Sequence, residues 1–170
     1  FNMLYRLNLN TLGEMNIAYL GELRTSSRCG RLDQACAFGV KPTLMVFDGD
    51  EVEVKALNVK KTIHLVFADL CASKDTIRIL ADLNKAYPFA SNEAEKKLHD
   101  ALVVHNHEVV NKAVSMMANG DLEGLGKLMT DVERLFDEYV VPMSAGLSAP
   151  KLHAVLNDSA IAPWIYGGKG

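Results

Sequence analysis

Thr43-Leu44-Met45-Val46-Phe47-Asp48-Gly49-Asp50-Glu51-Val52-Glu53-Val54-Lys55 is the stretch that sets the fold class. Residues 43–47 are an apolar run. Asp48-Gly49-Asp50 reads as a turn, and residues 51–55 alternate with period two. Two such runs around a glycine-bearing turn make a hairpin with a half-buried second strand. Just downstream, Thr62-Ile63-His64-Leu65-Val66-Phe67-Ala68-Asp69 reads as a third strand. The flanking sequence has helical spacing. The expected class is α+β, a meander of strands followed by an antiparallel helical pair.

Upstream of the hairpin, residues 1–9 and 11–24 read as helices. The second has an apolar face of Leu12, Met15, Ile17, Ala18, Leu20 and Leu23. Thr11 is its expected N-cap, with Glu14 completing a capping box. Thr25, Ser26 and Ser27 interrupt the pattern. A short helix is expected from about Gly30 to Phe38, ended by Gly39. Downstream, residues 74–87 carry Ile77, Leu80, Ala81 and Leu83 and stop at Pro88. Residues 91–118 read as a long helix starting at Ser91, with apolar positions on more than one side. Asn119-Gly120-Asp121 is a turn, and Asp121 can cap the next helix. That helix places Leu122, Leu125, Leu128, Val132, Leu135 and Tyr139 three and four apart, a core or helix-packing stripe. Pro142 ends it. A short helix follows from near Pro150, with Leu152, Val155 and Leu156. Trp164-Ile165-Tyr166 reads as a short strand.

With 170 residues, the chain holds one domain or slightly more. Hydrophobic residues at 49% and charged residues at 23% give enough apolar surface for a core, which excludes a disordered tail. The net charge of −3 argues against a phosphate-backbone binder, so no nucleic acid partner is expected. No window reaches the roughly 18 apolar residues of a membrane span. Arg6, Asn8 and Asn10 break the first apolar stretch, so no leader is expected. The cysteines Cys29, Cys36 and Cys71 form no C-x-x-C pair, which speaks against a disulfide framework and a thiolate zinc site. A reducing, cytoplasmic setting is expected. Phe1-Asn2-Met3-Leu4-Tyr5 reads as the middle of a helix and Tyr166-Gly167-Gly168-Lys169-Gly170 as a glycine-rich turn. The expectation is a piece of a longer protein; the alternative is a natural terminus with a flexible glycine tail.

Four constellations bear on chemistry. Ser26-Ser27-Arg28-Cys29-Gly30-Arg31-Leu32-Asp33-Gln34 joins small hydroxyl residues, a glycine and an entering helix. Free N–H groups at a helix start, with Arg28 and Arg31 beside them, would suit a phosphate. Asp33 in the same turn would accept a proton from an alcohol. The competing reading is that Asp33 only caps a helix. The second constellation is residues 167–170, whose clustered glycines let backbone N–H groups approach an anion; a flexible tail explains them equally well. Third, Ser73-Lys74-Asp75-Thr76 offers Lys74 to a ligand or to water, and Ser73 or Asp75 as a helix cap. Fourth, His105 and His107 sit two apart on a helix and point away from each other, so they cannot share a metal. His64, His99 and His153 stand isolated, and no metal site is expected.

Cys29-Gly30-Arg31-Leu32-Asp33-Gln34, then Phe38-Gly39, a hairpin and a third strand, resembles the GHMP family of small-molecule kinases, most of all its galactokinase-type sugar kinases. Residues 167–170 look like the opening of that family's third, glycine-rich motif. Gly120-Asp121-Leu122 and Ala149-Pro150-Lys151-Leu152-His153 look similar to bacterial sugar-kinase-like members. The resemblance spans roughly the whole chain. It implies that residues 1–58 end an N-terminal α+β domain. Residues 62–170 would form most of a ferredoxin-like C-terminal domain, with the break near Asn58-Val59-Lys60-Lys61. It also implies transfer of the γ-phosphate of Mg2+-bound ATP to a hydroxyl of a sugar or sugar derivative. By the same resemblance, Asp33 orients or deprotonates that hydroxyl with help from Arg28, and Cys29 and Gly30 meet the substrate. Gly167, Gly168, Lys169 and Gly170 line the phosphate side, and Lys74 and Asp75 are weaker candidates for substrate contact. The family's Pro-x-Gly-x-Gly-Leu-Gly-Ser-Ser-Ala loop and its substrate-binding N-terminal segment are not in this sequence, and the third motif stops at Gly170. The chain alone is therefore expected to be inactive, with the missing part supplied as a separate chain or as more of the same one. Alternatives are a mevalonate- or homoserine-type kinase, a non-catalytic sugar-binding sensor with the kinase fold, and a helical interaction module built on residues 91–140.

Overall fold

The computed structural model describes residues 2–25, 30–86 and 88–170. The chain divides into two compact units, Phe1–Leu57 and Asn58–Gly170. Together they are rich in helix, with one two-stranded antiparallel sheet among the described residues, an α+β composition.

In the first unit, α1 (Asn2–Tyr5) and α2 (Thr11–Glu22) precede a 3-10 helix, Asp33–Phe38, and the hairpin β1 (Thr43–Asp48) and β2 (Glu51–Ala56). The hairpin register runs from Thr43 opposite Ala56 to Asp48 opposite Glu51. Gly49 takes φ 58° at the first central position of the two-residue loop, as strand twist requires there. The helix expected over residues 1–9 ends at Tyr5, because Arg6 and Asn8 adopt φ 51° and 53°. Asn2 stabilises that bend: its amide donates to the Leu9 carbonyl at 2.9 Å and to Glu14 Oε1 at 2.6 Å. Glu14 is therefore engaged with Asn2 instead of a capping box, and the N-cap of α2 is Asn10, whose Oδ1 accepts the Gly13 N–H at 2.8 Å. On the expected apolar face of α2, Met15 is buried while Ile17, Leu20 and Leu23 are exposed.

The second unit holds α3 (Thr76–Ala86), α4 (Glu93–His99), a π-helical stretch Asp100–His105, α5 (Asn106–Asn119), α6 (Leu122–Tyr139) and α7 (Pro150–Leu156). The long helix expected over residues 91–118 is thus one helical rod with a π segment inside it, and its cap is Asn92, not Ser91. Asp121 caps α6, accepting the Gly124 N–H at 2.9 Å, and Gly120 closes α5 in the left-handed region. The core gathers Ile79, Ala86, Leu98, Val140 and Leu147, with Leu83 and Phe136 packed against it. Two expected strands are not in any ladder. Residues 62–69 pair with no strand among the described residues, and Trp164-Ile165-Tyr166 starts in the 3-10 turn Ala162–Trp164. A strand is defined by its partner, and an apolar run alone does not supply one. No described helix is long and apolar enough to cross a membrane.

One polar contact is built into this core. Ser144, itself buried, donates its hydroxyl to Asp82 Oδ2 at 2.8 Å, and Lys85 Nζ lies 2.9 Å from Asp82 Oδ1. The Lys85 hydrogen bond, then that of Ser144, hold the Asp82 carboxyl below its ordinary value of 3.8. A depressed folded-state value stabilises the fold above pH 3.8, and that contribution is lost as pH falls through the lower value. Replacing Asp82→Asn should flatten the acid limb of a thermal-denaturation series below pH 3.8; an unchanged limb would show that this carboxylate carries no acid sensitivity.

Candidate functional site

The C-terminal strap, residues 165–170, lies along α6. Gly126, Thr130, Glu133 and Asp137 follow one another at helical spacing and share a face of that helix. Gly126 and Gly167 meet backbone to backbone: a Cβ on Gly167 would collide with the Gly126 carbonyl, and one on Gly126 would run into Tyr166. The Gly168 N–H donates to Thr130 Oγ1 at 3.1 Å, and the Gly170 N–H donates to Glu133 Oε2 at 3.0 Å. On the other side, a Cβ on Gly168 would lie 2.6 Å from Leu156 Cδ2 of α7. The glycines of the strap thus have a packing reason.

Beside the strap is a crevice of about 390 Å³, with Thr130, Glu133, Asp137, His153 and Tyr166 in its wall. Glu133 is buried at 8% exposure, while Asp137 and His153 are half-buried. His153 Nε2 lies 2.9 Å from Asp137 Oδ2, close enough for an ion pair when the ring is protonated but without the alignment of a hydrogen bond. One ligand-type atom from each of Glu133, Asp137 and His153 falls within 4.8 Å of the others. Sequence reading missed this group and took His153 as isolated. The spacing of Glu133 and Asp137 was visible, but only the fold brings α7 across to them.

The residues picked out by sequence are distributed as follows. Asp33 opens the 3-10 helix of the first unit and is exposed, and its carboxylate makes no hydrogen bond or ion pair among the described residues. The helix expected there is a 3-10 turn of six residues, so the N-terminal field available to a phosphate is small. Gly30 is exposed, with nothing within 4 Å of the position a Cβ would take. Arg28 and Cys29 lie outside the described residues. Arg31 is occupied structurally: its guanidinium stacks 5.2 Å from the Tyr19 ring centre, and Nη1 donates to the Asp50 carbonyl in the hairpin turn at 2.8 Å. Lys74 is exposed and unpaired among the described residues. Asp75 caps α3, accepting the Arg78 N–H at 3.0 Å. Asp33 belongs to the first unit and residues 167–170 to the second.

The strap as placed does not fit a nucleotide phosphate. The N–H groups of Gly168 and Gly170 are already donated, and the acceptor at Gly170 is a carboxylate of the same sign as a phosphate. Lys169 is exposed beside them. The group formed by Glu133, Asp137 and His153 includes an imidazole, whereas Mg2+ prefers oxygen ligands. No family model and no curated protein matches the chain.

Substituting Gly167→Ala should lift the strap from α6, because backbone on both sides leaves no room for the methyl group. The expected cost is about 1–3 kcal/mol, with faster hydrogen exchange at Gly168 and Gly170. Unchanged exchange there would show that the strap tolerates a side chain at this crossing.

Proposed function

We propose that the chain is part of a small-molecule kinase of the GHMP type, with a hydroxyl of a sugar or sugar derivative as acceptor and ATP as donor. The observation that carries the reading is Asp33: an exposed carboxylate without a partner among the described residues, at the start of a helical turn and directly after Cys29-Gly30-Arg31-Leu32. The order of Cys29-Gly30-Arg31-Leu32-Asp33-Gln34, Phe38-Gly39 and the hairpin along the chain adds support. Asp33 would accept a hydrogen bond from the substrate hydroxyl and aim its oxygen. Aspartate is a weak base, so orientation is the larger part of its role. Arg31, tied to Tyr19 and Asp50, fixes the segment that presents Asp33. Lys74 remains a candidate for substrate contact, while Asp75 has its capping role. The nucleotide side of the reaction needs the glycine loop that these 170 residues do not contain.

A second reading, sugar binding without turnover, is favoured by the strap, whose donors are spent within the fold. One experiment separates the two. In the polypeptide that carries the nucleotide loop, a panel of hexoses, pentoses and uronic acids is offered with ATP. The Asp33→Asn variant should lose about 100-fold or more in kcat. Phosphorylation retained within about tenfold would remove Asp33 from the catalytic role. Sugar binding by calorimetry without ATP consumption would select the sensor.

A further inference from the structure

The crevice beside the strap holds a buried charge with no counter-charge. Glu133 is less than a tenth exposed. A carboxylate withdrawn from water is costly unless a cation or a metal answers it. Its Oε2 accepts the Gly170 N–H, and its Oε1 accepts no hydrogen bond among the described residues. No cation pairs with it among them either. Arg134 reaches Glu138, and Lys151 Nζ is spent on the carbonyls of Leu70 and Cys71. His153 supplies a second, independent observation. Its Nε2 is shielded from water yet has no hydrogen-bond partner. That nitrogen lies 2.9 Å from Asp137 Oδ2 without the alignment of a hydrogen bond. Two ligand atoms held on one ion by bonds of about 2.0–2.1 Å, roughly 90–109° apart, sit about 2.9–3.4 Å from each other. A proton on His153 would balance Asp137 and leave Glu133 unanswered, whereas one divalent ion balances both carboxylates.

The three side chains stand on held elements. Glu133 and Asp137 are one turn apart on the same face of α6. His153 is in the middle of α7, and α7 is seated on the strap: Leu156 and Leu152 occupy the space that Cβ atoms on Gly168 and Gly170 would need. One ligand-type atom from each residue falls within 4.8 Å of the others. The ligand types choose the ion. Mg2+ and Ca2+ are held by oxygen, while imidazole suits Zn2+ and the neighbouring first-row metals, which also accept carboxylate. Three protein ligands leave a fourth position, on the crevice side, for water. We propose that Glu133, Asp137 and His153 bind a first-row divalent cation of the Zn2+ type, which clamps α7 to α6. The site is independent of the kinase reading.

Calorimetric titration of Zn2+ into the tag-free, chelator-stripped 170-residue chain tests this. One equivalent should bind with a dissociation constant of about 1 μM or below. His153→Ala and Glu133→Gln should each weaken binding about 100-fold or more, beyond the usual loss for a residue that only supports a ligand. Zn2+ at about a hundred times the dissociation constant should raise the unfolding midpoint by about 5 °C or more, and should not raise that of His153→Ala. His153 is half-buried, and the melting transition of the variant itself shows that it folds. Co2+ in place of Zn2+ should give a visible d–d absorption that His153→Ala abolishes. A chain that binds no Zn2+ overturns the proposal. Zn2+ binding that survives His153→Ala places an adventitious ion on other histidines and overturns it too. Mg2+ bound as tightly as Zn2+ overturns the choice of ion and with it the role of the imidazole.

Discussion

Gly126 and Gly167 let two stretches of backbone touch, and the strap and the crevice beside it depend on that contact. Side chains ordinarily hold a strand off a helix. Removing both Cβ atoms brings the strap close enough for Thr130 and Glu133 to take its N–H groups. The crevice wall follows from the same approach. Tyr166 closes one side, and α7 closes the other with His153 turned toward Asp137. A glycine-rich stretch that suggests an anion cradle in the sequence is, in the folded chain, a packed seam with a carboxylate at its far end.

The core of the second unit contains a polar link. Ile79, Ala86, Leu98, Val140 and Leu147 supply the apolar contacts, and Ser144 ties the turn after α6 to Asp82 on α3. A hydroxyl–carboxylate bond is directional, so it fixes the rotation of α3 in a way that apolar packing alone does not. The first unit uses a comparable device at its surface. Arg31 reaches from the loop to Tyr19 on α2 and to the hairpin turn at Asp50, joining three elements through one guanidinium.

Local signals were legible, and those that depend on a partner were not. The hairpin could be read because Gly49 and the alternation of residues 51–55 are properties of the segment itself. The Asp121 cap and the length of α6 are of the same kind. Thr11 fits the capping pattern, yet Asn10, one residue earlier, is the residue whose side chain accepts the Gly13 N–H. Arg6 and Asn8 end α1 through positive φ, a cost that residue type does not announce for arginine. For residues 62–69 the strand chemistry was visible, but a ladder needs a second strand, and sequence cannot say whether one is beside it. Asp33 was legible as an acidic group in the first turn of a short helix. The meeting of Glu133, Asp137 and His153 was not, because α6 and α7 are related by tertiary packing alone.

The apolar residues of the long rod from Glu93 to Asn119 fall on more than one side, which a uniform α-helix would waste. The π-helical stretch Asp100–His105 accounts for this. An α-helix packed against a straight neighbour drifts out of phase, since its turn does not match a whole number of residues. Inserting a wider turn resets the phase, so α4, the π stretch and α5 all keep contact with α6 along their joint length. The stretch works as a vernier: by taking up an extra residue in a wider turn, it returns the apolar positions of α5 to the side on which α4 meets α6.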